Sequence, residues 1–292
     1  MASREPRIKR HPEQAVVGGL EKATANLRAL NVKGEWQNAA ARFATIEQKA
    51  TPEMIALLLE AALANRMLSG SHYNEAERLL TAARALASGN SAELEVLAIV
   101  GLGDLYRSGA KKNPDFHPDL GRDGKLTEAR RLEAQAQQAL STVSDSSLVR
   151  GKAFCEFGLL DIEEDQADQA LEDYSTALVV VEKLLATRPN DTAVQSQLCR
   201  VYTLTGEAHD KLGNVDEAYT YQELAFQGYE RSGHKRGMAL GQQGMALALE
   251  KKGDTAAAVV CWQEVKKIAT TGPEVDTYML TKAEQALARL QG

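Results

Sequence analysis

The stretch Tyr202–Ala225, YTLTGEAHDKLGNVDEAYTYQELA, contains two amphipathic patterns with Gly213 between them. Gly206 lies in the first pattern, and Ala218 and Ala225 lie two helical turns apart in the second. Small residues at helical spacing let two helices pack closely, and a glycine allows a tight turn between them. The stretch therefore predicts a helical hairpin.

The same arrangement recurs on both sides of this stretch. A small residue begins each of six predicted second helices: Ala39, Ala76, Ala129, Ala170, Ala218 and Ala258. Seven residues further on, the residue is again small or apolar: Ile46, Ala83, Ala136, Ala177, Ala225 and Val265. Five residues before the small residue, the expected turn residues are Gly34, Ser71, Gly124, Asp165, Gly213 and Gly253. The common register predicts six hairpins, each stable only against its neighbours.

This register resembles the tetratricopeptide repeat family, whose hairpins carry Leu-Gly, Tyr, Gly, Ala, Tyr or Phe, and Ala at fixed offsets. The matching residues are Leu102, Gly103, Tyr106, Gly158, Ala170, Tyr174, Ala177, Tyr202, Gly206, Gly213, Ala218, Ala225, Gly253, Ala258 and Trp262. The repeats are about 40 residues long, similar to the longer bacterial variety, against about 34 in the family pattern. The resemblance implies an all-α, right-handed α-solenoid of about six hairpins, and the amphipathic segment after Pro273 predicts a C-terminal capping helix.

The predicted domain organisation is a flexible basic tail at residues 1–11 and one superhelical repeat domain at residues 12–292. The tail is rich in cationic side chains: Arg4, Arg7, Lys9, Arg10 and His11. Segments at a chain end with little apolar content are poorly ordered unless something ties them down. We therefore expect a solvated tail, with docking to nucleic acid or to an acidic surface as the alternative.

The largest departure from the repeat is the segment of about residues 107–124, RSGAKKNPDFHPDLGRDG. Its prolines and glycines predict an irregular insertion loop: Pro114, Pro118, Gly121 and Gly124. Two interpretations are open, a tolerated surface insertion and a loop that contacts a partner. The loop also contains Asp115, His117, Asp119 and Asp123, but it lacks the glycine and glutamate of a calcium-binding loop. A looser zinc cluster needs a ligand from elsewhere, so no metal is expected.

Composition disfavours several classes of function. The net charge of -6 argues against nucleic acid as the main partner, because such binding uses clustered Lys and Arg. No apolar run is long enough to span a bilayer, and the basic start lacks a secretory apolar segment, which favours a cytoplasmic protein. The three cysteines, Cys155, Cys199 and Cys261, form no metal or redox spacing. No catalytic motif is present, so we expect neither an enzyme nor a cofactor.

The family geometry implies that first helices line a concave groove that holds a partner. At the groove positions stand Arg28, Asn65, Asp104, Arg107, Lys152, Glu156, Arg200, Glu207 and Asp210. The known clamp for chaperone tails is incomplete, since Ala61, Gly101 and Glu156 replace three of its polar residues. The resemblance thus implies a non-catalytic scaffold or adaptor that binds a peptide or helix of another protein. The alternative is a regulator whose groove closes on a small molecule or signal peptide, and an end-to-end homo-oligomer is left open.

Overall fold

The computed structural model describes residues 51–68, 70, 72–271 and 275–291. The basic tail, the first predicted hairpin and Arg28 lie outside the described residues. The described residues contain α-helices and one short 3₁₀ helix, Pro118–Leu120, and no strand, so the prediction of an all-α fold is confirmed. The helices are α1 (Pro52–Leu68), α2 (His72–Ala87), α3 (Ala92–Lys112), α4 (Gly121–Leu140), α5 (Leu148–Glu163), α6 (Ala167–Thr187), α7 (Thr192–Leu212), α8 (Val215–Ser232), α9 (Lys235–Lys252), α10 (Thr255–Thr270) and α11 (Thr277–Gln291).

The chain divides into two compact units, residues 1–143 and residues 144–292. In the first unit, α1 packs on α2, α3 packs on α4, and α1 also contacts α3. In the second unit, the hairpins are α5 with α6, α7 with α8 and α9 with α10, and α11 packs on α10 as the expected capping helix. Consecutive helices thus pack as adjacent pairs. A single domain over residues 12–292 stays a prediction.

Helix ends in the second unit follow the sequence signals. The side chain of Asp191 accepts hydrogen bonds from the first turn of α7, at 2.9 Å from the Ala193 N–H, which satisfies a donor that the helix itself cannot. Gly213 ends α7 with φ 78°, and Gly253 ends α9 with φ 80°. Side chains other than glycine rarely adopt this left-handed conformation. Both glycines were predicted as turn residues, and both predictions are confirmed.

The predicted register is confirmed by burial. In the described hairpins, the small residues predicted to begin each second helix are at most 1% exposed and lie inside those helices: Ala76, Ala129, Ala170, Ala218 and Ala258. Seven residues later, all of the residues are fully buried: Ala83, Ala136, Ala177, Ala225 and Val265. Gly158 on α5 leaves room for Tyr174, since a Cβ there would lie 2.5 Å from the tyrosine ring. The small residues therefore set how closely the paired helices approach.

The prediction of an irregular insertion loop at about residues 107–124 is wrong, because most of these residues are helical. Helix α3 continues to Lys112 and α4 begins at Gly121, so the connection is residues 113–117 plus the 3₁₀ turn. Gly124 lies inside α4 and is therefore not the turn residue. The left-handed positions fall instead at His117, with φ 44°, and Gly121, with φ 60°.

The connection is held against the first unit by a buried aromatic ring. Phe116 is 1% exposed and lies against Gly109, with its ring centroid 5.4 Å from that of Tyr73 and 5.2 Å from that of Tyr106. Lys125, 2% exposed, donates to the carbonyl oxygens of Asn113 and Pro114 at 3.1 and 3.3 Å. A buried ammonium needs such partners to offset its lost hydration. The segment is therefore an integral part of the first unit.

Candidate functional site

Ion pairs link successive first helices within each unit. In the first unit, Arg66 on α1 lies 2.5 Å from the Asp104 carboxylate on α3. In the second unit, Arg200 on α7 pairs with Glu156 on α5, and Lys251 on α9 lies 2.7 Å from Asp210 on α7. Arg289 on α11 continues the series, 2.7 Å from Glu250 on α9. We name the surface that these first helices form in each unit the first-helix face.

A compact charged group lies at the C-terminal ends of α1 and α3. The side chain of Asp104 is 10% exposed and forms ion pairs with Arg66 and Arg107. It also accepts a hydrogen bond from the hydroxyl of Ser108 at 3.3 Å. Arg66 Nη1 also donates to Ser108 Oγ at 3.2 Å. Lys112 lies one helical turn beyond Ser108 on α3, and the charges of Arg66, Arg107 and Asp104 act on it. We call Arg66, Asp104, Arg107, Ser108 and Lys112 the Asp104 cluster. Of its members, Asp104 and Arg107 were predicted as groove residues, and the structure places them on one face.

Asn65, another predicted groove residue, has a local structural role. It is 5% exposed, and its amide nitrogen donates to the Ala61 carbonyl oxygen at 2.9 Å. Its Oδ1 lies 3.1 Å from Nδ1 of His72 at the start of α2. Asn65 therefore ties the end of α1 to the beginning of α2 and offers little surface to a partner.

The second unit holds the other predicted groove residues. Lys152 and Glu156 lie one turn apart on α5 and are half-buried, and Arg200 on α7 reaches Glu156. Glu207 is exposed on α7, and Asp210 lies one turn beyond it. The ammonium of Lys251 donates to the Asp210 carbonyl oxygen at 2.9 Å as well as pairing with its carboxylate. The predicted residues of this unit thus lie on α5 and α7, and two of them pair with each other.

A polar group that the sequence analysis did not assemble joins α2, α3 and the connection that follows α3. Tyr106 Oη donates to Glu77 Oε1 at 2.5 Å, and His117 Nε2 lies 2.9 Å from Glu77 Oε2. The His117 ring stacks on the ring of Tyr106, 5.4 Å between centroids. Burial, and then the bond to Glu77, raise the pKa of Tyr106. The packing of α2 on α3 brings Tyr106 to Glu77, and His117, at a left-handed turn, adds its ring to the pair. Sequence spacing carries no signal for that turn.

Metal and thiol chemistry find no support among the described residues. In that part of the chain, no group of three or more His, Cys, Asp and Glu side chains is placed to hold a metal ion. Cys155 is fully buried and its sulfur accepts a hydrogen bond from Gln197 at 3.1 Å. Burial raises the pKa of Cys155 to about 12, and it also raises the pKa of Cys199 and Cys261. Such thiols are poor nucleophiles at neutral pH because little thiolate forms.

None of the helices in the described residues has the length and apolar character needed to cross a bilayer. The chain matches no family model and no curated protein.

The chain resembles several solved structures at low sequence identity. BtubC from P. vanneervenii aligns with a TM-score of 0.56 and 14% identity, over 91% of this chain and 95% of that one. A signal-transduction ATPase with a tetratricopeptide repeat sensor, from Pyrococcus horikoshii, aligns with a TM-score of 0.62 and 12% identity. The alignment covers 96% of this chain and 37% of the ATPase. Aspartyl phosphate phosphatase F from Bacillus subtilis aligns with a TM-score of 0.53 and 11% identity, over 100% of this chain and 71% of the phosphatase. At this identity the likeness shows the fold, and the described helices form an all-α array of tetratricopeptide-type hairpins.

Proposed function

We propose that the chain is a non-catalytic protein-interaction scaffold that binds a peptide or helix of a partner along the first-helix face. The observation that carries the proposal is the series of ion pairs between successive first helices, such as Arg200 with Glu156. These pairs hold long charged side chains in place before a partner arrives. A pre-ordered surface loses less side-chain entropy on binding, so more of the contact energy is available for affinity.

The second unit adds apolar side chains to the charged ones. Leu159 on α5 and Leu240 and Leu247 on α9 are half-buried, and Glu207 on α7 is exposed. Half-buried leucines between fixed charges suit a partner segment that carries apolar anchors and charges of the opposite sign. A partner protein therefore fits this face better than nucleic acid does, given a net charge of -6.

The contacts of the described histidines support a non-catalytic role. His72 bonds to Asn65 and His117 to Glu77, while His234 Nδ1 accepts the Gly237 N–H at 2.9 Å. His209 stacks on Tyr221, with 5.5 Å between ring centroids. Each of these rings is engaged in local structure, and within the described residues none of them forms a hydrogen bond with a Ser or Cys side chain that could act as a nucleophile. The same proposal includes a cytoplasmic location for the protein and a function that needs no cofactor.

A charge-reversal pair tests the proposal. Glu207→Lys changes an exposed residue of the first-helix face, whereas Glu223→Lys makes the same change at an exposed position of a second helix, α8. Tagged parent and variants are used to capture partners from cells, and the retained proteins are quantified by mass spectrometry. We expect the parent and Glu223→Lys to retain the same partner and Glu207→Lys to lose most of it, with unchanged circular dichroism.

The opposite pattern would place the interface elsewhere. If Glu223→Lys loses the partner and Glu207→Lys retains it, binding uses the second helices and the proposal is wrong.

The alternative is a regulator whose first-helix face closes on a small molecule or signal peptide. The Asp104 cluster favours it, because charged groups there converge from α1 and α3. A thermal-shift screen with metabolites and short peptides tests it, since a ligand that binds only the folded state raises the melting temperature. A saturable shift with a small ligand, together with no retained protein partner, supports the regulator over the scaffold.

A further inference from the structure

The Asp104 cluster contains cationic groups that its own contacts leave unused. Arg66 uses only Nη1 in its bonds to Asp104 and Ser108. Within the described residues, Nη2 and Nε of Arg66 make no hydrogen bond, and Nζ of Lys112 makes neither a hydrogen bond nor an ion pair. A guanidinium presents five N–H donors in a planar fork, and an ammonium presents three. The two side chains thus retain donors for an external acceptor.

The charged side chains that act on Lys112 are mainly cationic. Burial lowers the pKa of Lys112, and the charges of Arg66, Arg107 and Lys111 lower it further, in that order, whereas Asp104 acts in the opposite direction. Each of the three cations has a larger effect on Lys112 than Asp104 has. An anion placed beside Lys112 would therefore reduce the mutual repulsion of these cations.

The local fold accounts for the presence of the cations but leaves their unused donors unexplained. Arg66 and Lys112 lie in the last turns of α1 and α3, where the helix dipole favours positive charge. That effect acts at any helix C-terminus and does not require side chains from two helices to converge. An arginine fork and a lysine ammonium with unused donors on two neighbouring helices are groups that bind the oxygens of a phosphate group.

We propose that the Asp104 cluster binds a phosphate group on a phosphorylated side chain of the partner segment, with Arg66 and Lys112 as its principal ligands. The proposal rests on the proposed binding of a partner by the first-helix face. A phosphorylated side chain carries nearly two negative charges at neutral pH and several acceptor oxygens, which matches the unused donors on two side chains. A carboxylate has two acceptor oxygens and one charge, so it offers fewer acceptors and less charge to the unused donors of both side chains than a phosphate group does.

The first experiment needs no partner. The full-length protein is titrated with sodium phosphate at pH 7.5, and the melting temperature is compared with that in sodium chloride and in sodium acetate at equal ionic strength. We expect a saturable rise with phosphate and a weaker rise with acetate. Lys112→Gln should raise the apparent Kd for phosphate about tenfold, the effect of losing one charge-assisted hydrogen bond.

The variants separate local binding from general charge effects. Lys183→Gln removes an exposed lysine of α6 in the other unit, so it changes net charge equally and should leave the phosphate response unchanged. Arg66→Lys keeps the charge but loses the fork, and should weaken phosphate binding while it keeps most of the ion pair with Asp104. Lys112→Gln breaks no ion pair among the described residues, so a loss of folding is not expected there.

Three results overturn the proposal: no saturable response to phosphate, an equal response to acetate, or a response that Lys112→Gln leaves unaltered. The second experiment treats the captured partner with a phosphatase. We expect treatment to release the partner from the parent protein, and retention after complete dephosphorylation overturns the proposal. Retention that still depends on Glu207 leaves the scaffold proposal intact, so the two proposals fail separately.

Discussion

Arg200 on α7 forms an ion pair with Glu156 on α5, and the two residues are 44 positions apart in the sequence. The side chains are 35% and 15% exposed, so the pair lies at the surface of the first-helix face. Similar pairs join α1 to α3, α7 to α9 and α9 to α11. Within each unit, the charges that a partner would meet are therefore positioned by neighbouring hairpins.

Exchange of the Arg200–Glu156 pair tests this positioning. We expect Arg200→Glu to destabilise the protein by about 1 kcal/mol, since partly exposed pairs contribute little and a like-charge contact replaces the pair. The double variant Arg200→Glu with Glu156→Arg should recover at least half of the loss. Urea denaturation followed by circular dichroism measures the coupling in a double-mutant cycle. Strictly additive losses would mean that the two residues do not act as a pair.

The close approach of paired helices predicts a cost for enlarging Ala218, which is 1% exposed. Ala218→Leu should overpack the contact between α7 and α8 and cost about 1–3 kcal/mol. Ala256→Leu makes the same change at an exposed position of α10 and should cost less than about 0.5 kcal/mol. Urea denaturation compares the two. Equal stability of Ala218→Leu and the parent would show that the assigned register is wrong.

The repeat register could be predicted from the sequence because it depends on local spacing. Ala170 and Ala177 lie two turns apart, and a helix places them on one face whatever surrounds it. The turn before α4 could not be predicted in the same way. Gly124 occupied the expected turn position, but Leu120 packs against it and α4 extends back to Gly121. The connection before α4 is anchored by Phe116, whose ring lies against Tyr73 and Tyr106, and such long-range contacts leave no mark on local spacing.

The connection between α3 and α4 should depend on one side chain. Phe116→Ala removes a ring that is 1% exposed and should cost about 3–5 kcal/mol, the usual loss for a buried aromatic. Leu120→Ala, at a position 39% exposed in the same connection, should cost less than about 1 kcal/mol. Chemical denaturation measures both. A Phe116→Ala variant that melts with the parent would contradict the anchoring role of the ring.

The candidate site was predicted only as separate positions. Asp104 and Arg107 follow from the helical face that the family geometry assigns, but their partner Arg66 falls outside the assigned positions. Ion pairs between repeats depend on side-chain length and on how two hairpins stack, and single-sequence spacing contains neither. Asn65 is the opposite case, because the family geometry assigns it to the groove, yet its amide nitrogen donates to the Ala61 carbonyl oxygen within its own helix.

Burial should make Cys155 unreactive while the protein is folded. Its pKa is raised to about 12, so a change from pH 7 to pH 9 should produce little thiolate. An alkylating reagent followed by peptide mass spectrometry should label the half-buried Cys261 first and Cys155 only on unfolding. Because the folded pKa exceeds the unfolded value of about 8.5, this thiol contributes stability that is full below pH 8.5 and declines toward pH 12. Early labelling of Cys155 would contradict its burial.

The most direct test of the scaffold proposal is photo-cross-linking from single positions of the full-length protein in cells. A benzophenone amino acid replaces Glu207 on the first-helix face or Glu223 on α8, both exposed. We predict that the retained partner cross-links from position 207 and not from position 223. A partner that cross-links from position 223 and not from position 207 would contradict the account.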